Sequence, residues 1–511
     1  MLRRADAENA RHRASLPAKL PAQSPIRNVK TKTGKFTCFA ARGTGNLSLD
    51  FIQLRNCQMI HKYSQNGFNI VMDTNSGAVH LFDDAPFAML DYLDNAVPNE
   101  PPKAMMDNLK DRFDEETLRE GYFEVLDLYK KGQLYSEDVY GKFASLMKNA
   151  PIKSMCLNIA HDCNLRCRYC FAAQGDFGGE RMLMPFSVAK SAIDFLIRNS
   201  GTRHNLELDF FGGEPLMNFG VVKQTVAYAR SLEKQYDKCF RFTITTNGLL
   251  LDDEKIDFIN REMSNCILSL DGRKDVNDRL RIRVDGSGSY DTIIPKFQEL
   301  VKRRPKEKDY YARGTFSKYN LDFLNDIKHF LDLGFDEISM EPVVSDQKLD
   351  YSIQEDDLPR VFEEYDRLSQ FMIERAKEGK RFDFFHFMVD LNQGPCAIKR
   401  LRGCSCGNEY VAVTPTGDIY PCHQFVGSEE WEMGNVLTGA LNQEIKSAFA
   451  LTNVYSKPDC KDCWAKFYCS GGCNANNLQY EGSIRRPHSI SCKLEKKRLE
   501  CAVMIQAALS V

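Results

Sequence analysis

The run HDCNLRCRYCFA, His161 to Ala172, sets Cys163, Cys167 and Cys170 in a CxxxCxxC pattern. Iron–sulfur clusters are usually held by four cysteines, so a triplet leaves one iron free to bind and activate something else. Zinc is the competing reading. A tetrahedral zinc site pairs two close cysteines with a second close pair of Cys or His, and the CxxxC spacing here has no such partner beside it. His161 is the nearby candidate for a fourth ligand, although local packing also accounts for it.

Working outward, the next three segments each read as an apolar strand that ends in small or turn-forming residues. LELDFFGGEP closes on Gly212, Gly213, Glu214 and Pro215, where small residues let a ligand approach the backbone. RFTITTNGLL ends at Asn247 and Gly248, and NCILSLDG at Asp271 and Gly272. Singly, each is an ordinary strand-to-helix turn. In this order after the cysteine triplet, with Tyr169 inside it, they resemble the radical S-adenosylmethionine (SAM) superfamily. That resemblance implies an α/β fold built on a partial (β/α)6 barrel, with ligands at the C-terminal ends of its strands. It implies that a cluster on Cys163, Cys167 and Cys170 binds SAM, with Gly212, Gly213 and Glu214 holding the methionyl amino group. Tyr169 joins the cofactor-binding set, and Asn247, Ser269 and Arg281 resemble contacts to the SAM ribose and carboxylate. Arg281, in NDRLRIRVDGSGSY, also reads as a solvated surface charge.

The chain has 18 cysteines and no secretory signal to explain them as a disulfide framework. Cys460, Cys463, Cys469 and Cys473 stand as CxxCx5CxxxC, with Cys492 beyond them; upstream, Gly417 and Cys422 follow Cys404, Cys406 and Cys396. Thiols so crowded repel and oxidise unless a metal binds them. The array resembles the SPASM extension of radical SAM enzymes, which carries two auxiliary 4Fe-4S clusters, for three in all. By that resemblance Cys460, Cys463, Cys469 and Cys492 ligate the outer cluster, and Cys404, Cys422 and Cys473 the inner one. Its fourth position is open between Cys406, Cys396 and a substrate thiolate. Cys38, Cys57, Cys156, Cys239, Cys266 and Cys501 follow no pattern and are expected to pack in cores or be simply tolerated.

With 511 residues, the chain is long enough for two to four domains at roughly 100–200 residues each. A net charge of -2 gives no basic footprint for nucleic acid, and no apolar stretch approaches the ~20 residues of a membrane span. The expected partners therefore include neither nucleic acid nor membrane, and the expected location is the cytoplasm. Four zones follow: 1–58, 59–148, 149–385 for the barrel and 386–511 for the SPASM domain. Residues 1–58 are basic, with Pro and Ser clusters and no apolar periodicity, and read as disordered. They fit a targeting peptide poorly, lacking an apolar signal core; alternatively Met59 is the true start and they are an upstream extension.

In the second zone, GFNIVMDTNSGAVHLFDD alternates apolar and polar residues around Asn75-Ser76-Gly77, and helical patterns follow through LDYLDN, LKDRF and TLREGYFEVLDLYKK. A hairpin followed by three helices is a winged-helix-like module. Its acidic run DRFDEETLREGYFEVLD disfavours phosphate contacts. It resembles instead the leader-binding domain of peptide-modifying enzymes, which adds an extended peptide to a sheet edge; a plain cap on the barrel is the other reading.

HKYSQNGFNIVMDTNSGAVH, LNIAHDCNLRCRYCFAAQGDF and GPCAIKRLRGCSCGNEYVAVTPTGDIYPCHQFVG, with the terminal array, resemble the SCIFF maturases, which form thioether cross-links in six-cysteine peptides. Cys406 departs from that pattern, where a small non-cysteine residue is expected. The resemblance implies a SAM-derived 5′-deoxyadenosyl radical acting on a cysteine-rich precursor peptide bound through its leader. An electron donor such as flavodoxin or ferredoxin completes the expected partners. No acid or base is evident; His423, beside Cys422, fits a local hydrogen-bonding role better. Two alternatives stand beside this. One is another radical SAM modification, either a carbon–carbon link or an oxidation of the sulfatase-maturase type, and the other is a cluster-based redox sensor that binds DNA.

Overall fold

The computed structural model describes residues 27–30, 35–39, 59–144, 147–391 and 397–510. An N-terminal antiparallel sheet runs in the order β1-β2-β5-β4-β3, from β1 (Arg27–Lys30), β2 (Lys35–Phe39), β3 (Ile60–Gln65), β4 (Phe68–Asp73) and β5 (Val79–Phe82). Asn66 and Gly67 join β3 to β4 with φ of 52° and 79°, the doubly left-handed geometry of a type I′ hairpin turn. This Asn-Gly signal was legible in the sequence, but the reading above rests on Asn75-Ser76-Gly77 alone. That second turn is held by Asp73, whose Oδ1 accepts from Ser76 N at 2.8 Å and Ser76 Oγ at 2.7 Å.

Helices Asp84–Met89, Lys103–Leu109 and Glu115–Lys130 cover one face of this sheet. Asp114 caps the last of them, accepting from Thr117 N at 2.8 Å. Leu118, Tyr122, Val125 and Leu126, on one stripe of that helix, pack with Val71, Phe82 and Met89. Within residues 1–58 two stretches are described. Arg27–Lys30 and Lys35–Phe39 are strands, and Thr37, Cys38 and Phe39 pair with Leu81, His80 and Val79. Their order comes from the edge of β5, which supplies backbone partners that hydrophobic periodicity within 1–58 cannot reveal.

The second sheet forms the partial barrel. β6 (Ser154–His161), β8 (Asn205–Gly212), β9 (Cys239–Thr246), β10 (Asn265–Ser269), β11 (Asp309–Phe316) and β12 (Glu337–Pro342) are parallel, and the two-residue β13 (Asp383–Phe384) extends them. β7 (Met182–Leu183) adds antiparallel to β6. Helices 186–199, 219–236, 253–262, 290–302, 323–332 and 358–377 separate these strands, as parallel crossovers demand. On β8, Leu206, Leu208 and Phe210 are buried in the main core, while Glu207, Asp209 and Phe211 alternate onto the opposite face, toward the barrel interior.

The sheet does not stop with the barrel. β14 (Tyr410–Val413) pairs in parallel with the free side of β6, and β15 (Asp418–Tyr420) folds back on it. The C-terminal region is thereby continuous with the strand that carries the cysteine triplet. The final helix, Ser489–Ala508, packs on helix 358–377 and reaches β4. His61 of β3 stacks on Trp464 at 3.7 Å and pairs with Glu500 at 2.9 Å, which fastens the N-terminal unit to the C-terminal one. Cys156, Cys266 and Cys501 are buried within cores. Among the described residues, no helix is long and apolar enough to cross a membrane.

Candidate active site

The cysteine triplet begins two residues beyond β6, on a loop pressed against the end of β8. Gly213 N donates to Ala160 O at 2.8 Å and Glu214 N to Asp162 O at 2.9 Å. A Cβ on Gly212 would lie 2.3 Å from Ala160 O, and one on Gly213 would lie 2.0 Å from Asp162 O. The two glycines are thus required by the close approach of this loop, beyond any ligand. Glu214 is buried, with Oε1 accepting from Leu216 N and Thr246 Oγ1 at 2.9 Å and Oε2 from Asn247 N at 2.8 Å. Burial pushes its carboxyl up to about 7 despite those donors. Asn247 Nδ2 donates to Asn164 Oδ1 at 2.7 Å and lies 3.7 Å from Cys163 Sγ, which ties the end of β9 to the same loop.

Tyr169, Asp271 and Arg281 form a buried triad beneath the triplet. Tyr169 OH donates to Asp271 Oδ2 at 2.6 Å and accepts from Arg281 Nη1 at 2.8 Å. Arg281 is 9% exposed, so the solvated-charge reading fails. The residue is drawn inward by Tyr169, Asp271 and Cys167, all of which face its guanidinium. Its Nε is buried without a hydrogen-bond partner, a donor free for a carboxylate or a cluster sulfur. Burial pushes the Cys163 and Cys167 thiols up to about 12 and about 11, so thiolates there need a cation to sustain them. Ser269 ends β10, half-buried and level with Arg313 of β11.

The remaining patterned cysteines fall into two groups. Cys404, Cys406, Cys422 and Cys473 face one another; Cys460, Cys463 and Cys492 face one another, with Cys469 alongside across Lys457. Cys406 donates to the Cys404 sulfur, which lowers the Cys404 thiol and raises that of Cys406. Cys396 lies outside the described residues. Among the described residues, no three His, Cys, Asp or Glu side chains converge where a single metal ion could sit. The donor sets are all thiols. They fit clusters, which present a separate iron to each of several spaced thiolates.

The strands of the barrel also carry polar side chains that the sequence reading did not single out. Asp209 stands level with Cys156 and Thr243, and burial, with Glu207 beside it, lifts its carboxyl to about 7. Arg313 and Glu341, on neighbouring strands, form an ion pair. Burial opposes ionisation of Glu341, but the Arg313 and Arg498 guanidinium groups hold its carboxyl at about 2. His386 Nδ1 accepts from Arg498 at 3.0 Å, so its Nε2–H donates to Ser339 Oγ at 3.1 Å; burial keeps this imidazole neutral down to about pH 3. His423 sits 3.3 Å from Tyr410 OH and stacks near Phe211, and burial lowers it to about 4. Alternation along LELDFF is the signal that could have found Asp209; the ion-pair network depends on pairings between distant strands.

This arrangement defines a cluster-bearing α/β barrel with an open-ligand cysteine triplet at its mouth. The 4Fe-4S single cluster domain matches residues 154–293, and the SPASM iron-sulfur cluster-binding domain matches residues 404–464. A serine-type anaerobic sulfatase-maturating enzyme of Bacteroides thetaiotaomicron is 26% identical over 64% of this chain and 84% of its own length. The radical SAM cyclopropyl synthase TigE of Paramaledivibacter caminithermalis is 23% identical over 68% and 72%. In fold, the chain is similar to the sulfatase-maturating enzyme anSMEcpe with bound AdoMet and Cp18Cys peptide, at a TM-score of 0.57 and 19% identity. That similarity covers 70% of this chain and 99% of the other. With both domains matched, the chain is similar to the radical SAM enzymes that carry a SPASM domain. Its cofactors are SAM and multiple 4Fe-4S clusters.

Proposed function

We propose that this enzyme installs intramolecular thioether links, cysteine sulfur to residue carbon, in a ribosomally made cysteine-rich peptide. When bound, SAM and the first cluster supply a 5′-deoxyadenosyl radical that takes a hydrogen atom from the peptide. Cys163, Cys167 and Cys170 hold that cluster. Gly212, Gly213 and Glu214 would receive the SAM amino group, and the unpartnered Nε of Arg281 would donate to its carboxylate or to the cluster. Tyr169 and Asp271 lock Arg281 in place, while Asn247 and Ser269 line the strand ends nearby. Cys460, Cys463, Cys469 and Cys492 hold the outer auxiliary cluster and Cys404, Cys406, Cys422 and Cys473 the inner one. Asp209, whose carboxyl burial raises, would take the proton of the substrate thiol, and the auxiliary clusters would accept the one electron left over when the sulfur joins the carbon radical.

The observation that carries the peptide reading is the edge of β5, which accepts the extended segment Lys35–Phe39 in antiparallel register. A leader peptide would use the same backbone donors and acceptors. The similar anSMEcpe structure, which holds AdoMet and a peptide together, supports a peptide substrate. The thioether product rests on the SCIFF-like run from Gly394 to Gly427. A modification of the sulfatase-maturating type is the second reading, favoured by the relatives named above; it would alter one residue and join none. Incubation with the cysteine-rich peptide encoded in the neighbouring reading frame, followed by mass spectrometry, separates the two.

The same edge gives a binding prediction. Removing residues 1–58 takes away the segment already paired to β5 and should tighten leader binding by roughly tenfold, since a tethered competitor acts at high effective concentration. Fluorescence anisotropy of a labelled leader measures this. An unchanged Kd would place the leader elsewhere.

A further inference from the structure

Lys457 is an ammonium group buried between the two auxiliary cysteine groups, with 1% of its surface exposed. Cys460, Cys406, Cys469 and Cys404, from both groups, lie near enough to act on its charge. Its Nζ donates to Gly471 O at 2.6 Å and to Asn474 Oδ1 at 2.9 Å. Gly471 lies on the short link from Cys469 to Cys473, and so from one group to the other. A Cβ there would come within 2.8 Å of Lys457 Cδ, so the glycine makes room for this side chain.

Asn474 is 7% exposed, and its Nδ2 donates to Cys406 Sγ at 3.5 Å. An ammonium group has donors only, so the amide oxygen must turn to Lys457 and the NH2 must turn to the sulfur. Lys457 thereby fixes the orientation of the amide. Burying an isolated lysine is strongly unfavourable unless negative charge compensates it, and the charge at hand is that of thiolates ligating metal.

From these contacts we propose that Lys457 and Asn474 are positioning residues that set the reduction potential of the auxiliary clusters. Lys457 is a countercharge shared by both clusters, and Asn474, oriented by it, caps the Cys406 thiolate of the inner one. N–H···S bonds and nearby positive charge both stabilise the reduced form of a cluster. The inference rests on the cluster assignment proposed above.

Full-length, reconstituted wild type and the variants Lys457→Met, Lys457→Arg and Asn474→Leu test it, by iron and sulfide content and by redox titration followed by EPR. Asn474→Leu, close in shape, should move the inner cluster to more negative potential and leave the outer one in place. Lys457→Met should move both, and Lys457→Arg should restore the outer one. Should Lys457→Met fail to retain clusters, Asn474→Leu decides alone. Unchanged inner potential in Asn474→Leu with wild-type iron content would overturn the proposal. Wild type that holds no auxiliary clusters would instead overturn the cluster assignment.

Discussion

Replacing Cys163, Cys167 and Cys170 together with alanine abolishes SAM cleavage, with 5′-deoxyadenosine falling at least about a thousandfold under reducing, anaerobic conditions. The three thiols sit on one loop whose path is fixed from both sides, by Gly213 and Glu214 bonding to Ala160 and Asp162, and by Asn247 bonding to Asn164. Removing the sulfurs leaves that scaffold in place but takes away every cluster ligand the loop offers. Chromatography of the reaction products reads the loss, and visible absorbance should show that the auxiliary clusters remain. Cys266→Ala, a buried thiol on β10 that belongs to none of the three cysteine groups, is the control: it should retain its clusters and SAM cleavage and lose only about 1 kcal/mol of stability from a small cavity. Cleavage retained in the triple variant would refute the role of the triplet.

Gly213→Ala is the second large effect, and it reaches the same site without touching a ligand. The added methyl would fall 2.0 Å from Asp162 O and 3.1 Å from Cys163 Cβ. Backbone on both sides must move, at a cost of about 3 kcal/mol or more. The moving partner is the cysteine loop, since β8 is held by both β6 and β9. The expected result is a folded protein by circular dichroism that has lost one cluster's worth of iron and binds SAM roughly a hundredfold more weakly. Unaltered iron content and SAM affinity would show that the loop tolerates displacement and that the glycine pair matters less than its geometry indicates.

How much of this was visible in the sequence depends on the range of the contacts. Three barrel strands, β8, β9 and β10, announced themselves, because each apolar run ends in its own small or turn-forming residues, Gly212-Gly213, Asn247-Gly248 and Asp271-Gly272, whereas β11 and β12 carry no such ending. The triad around Arg281 was only half legible. Its charge suggests solvent, and its burial follows from Tyr169 and Asp271, which approach it from other strand ends. The pairing of β14 with β6 was not legible, since Tyr410 and Ser154 become neighbours only once the barrel exists. Lys457 gave no signal either, because a lysine is ordinarily exposed and only the converging thiols explain its burial. The clustering of Cys404, Cys406, Cys422 and Cys473 likewise needed the chain to fold before the sequence alternatives for the fourth position could be weighed.

The account's central claim is that a radical formed at the triplet ends in a carbon–sulfur bond within a peptide. Each such bond removes one hydrogen from carbon and one from sulfur, so the peptide should lose about 2 Da per link when it is incubated anaerobically with enzyme, SAM and reductant. High-resolution mass spectrometry of the neighbouring cysteine-rich peptide measures this directly. The account predicts stepwise losses of about 2 Da, with fragmentation locating each link between a cysteine and another residue. SAM cleavage with no change in the mass of the peptide would contradict it.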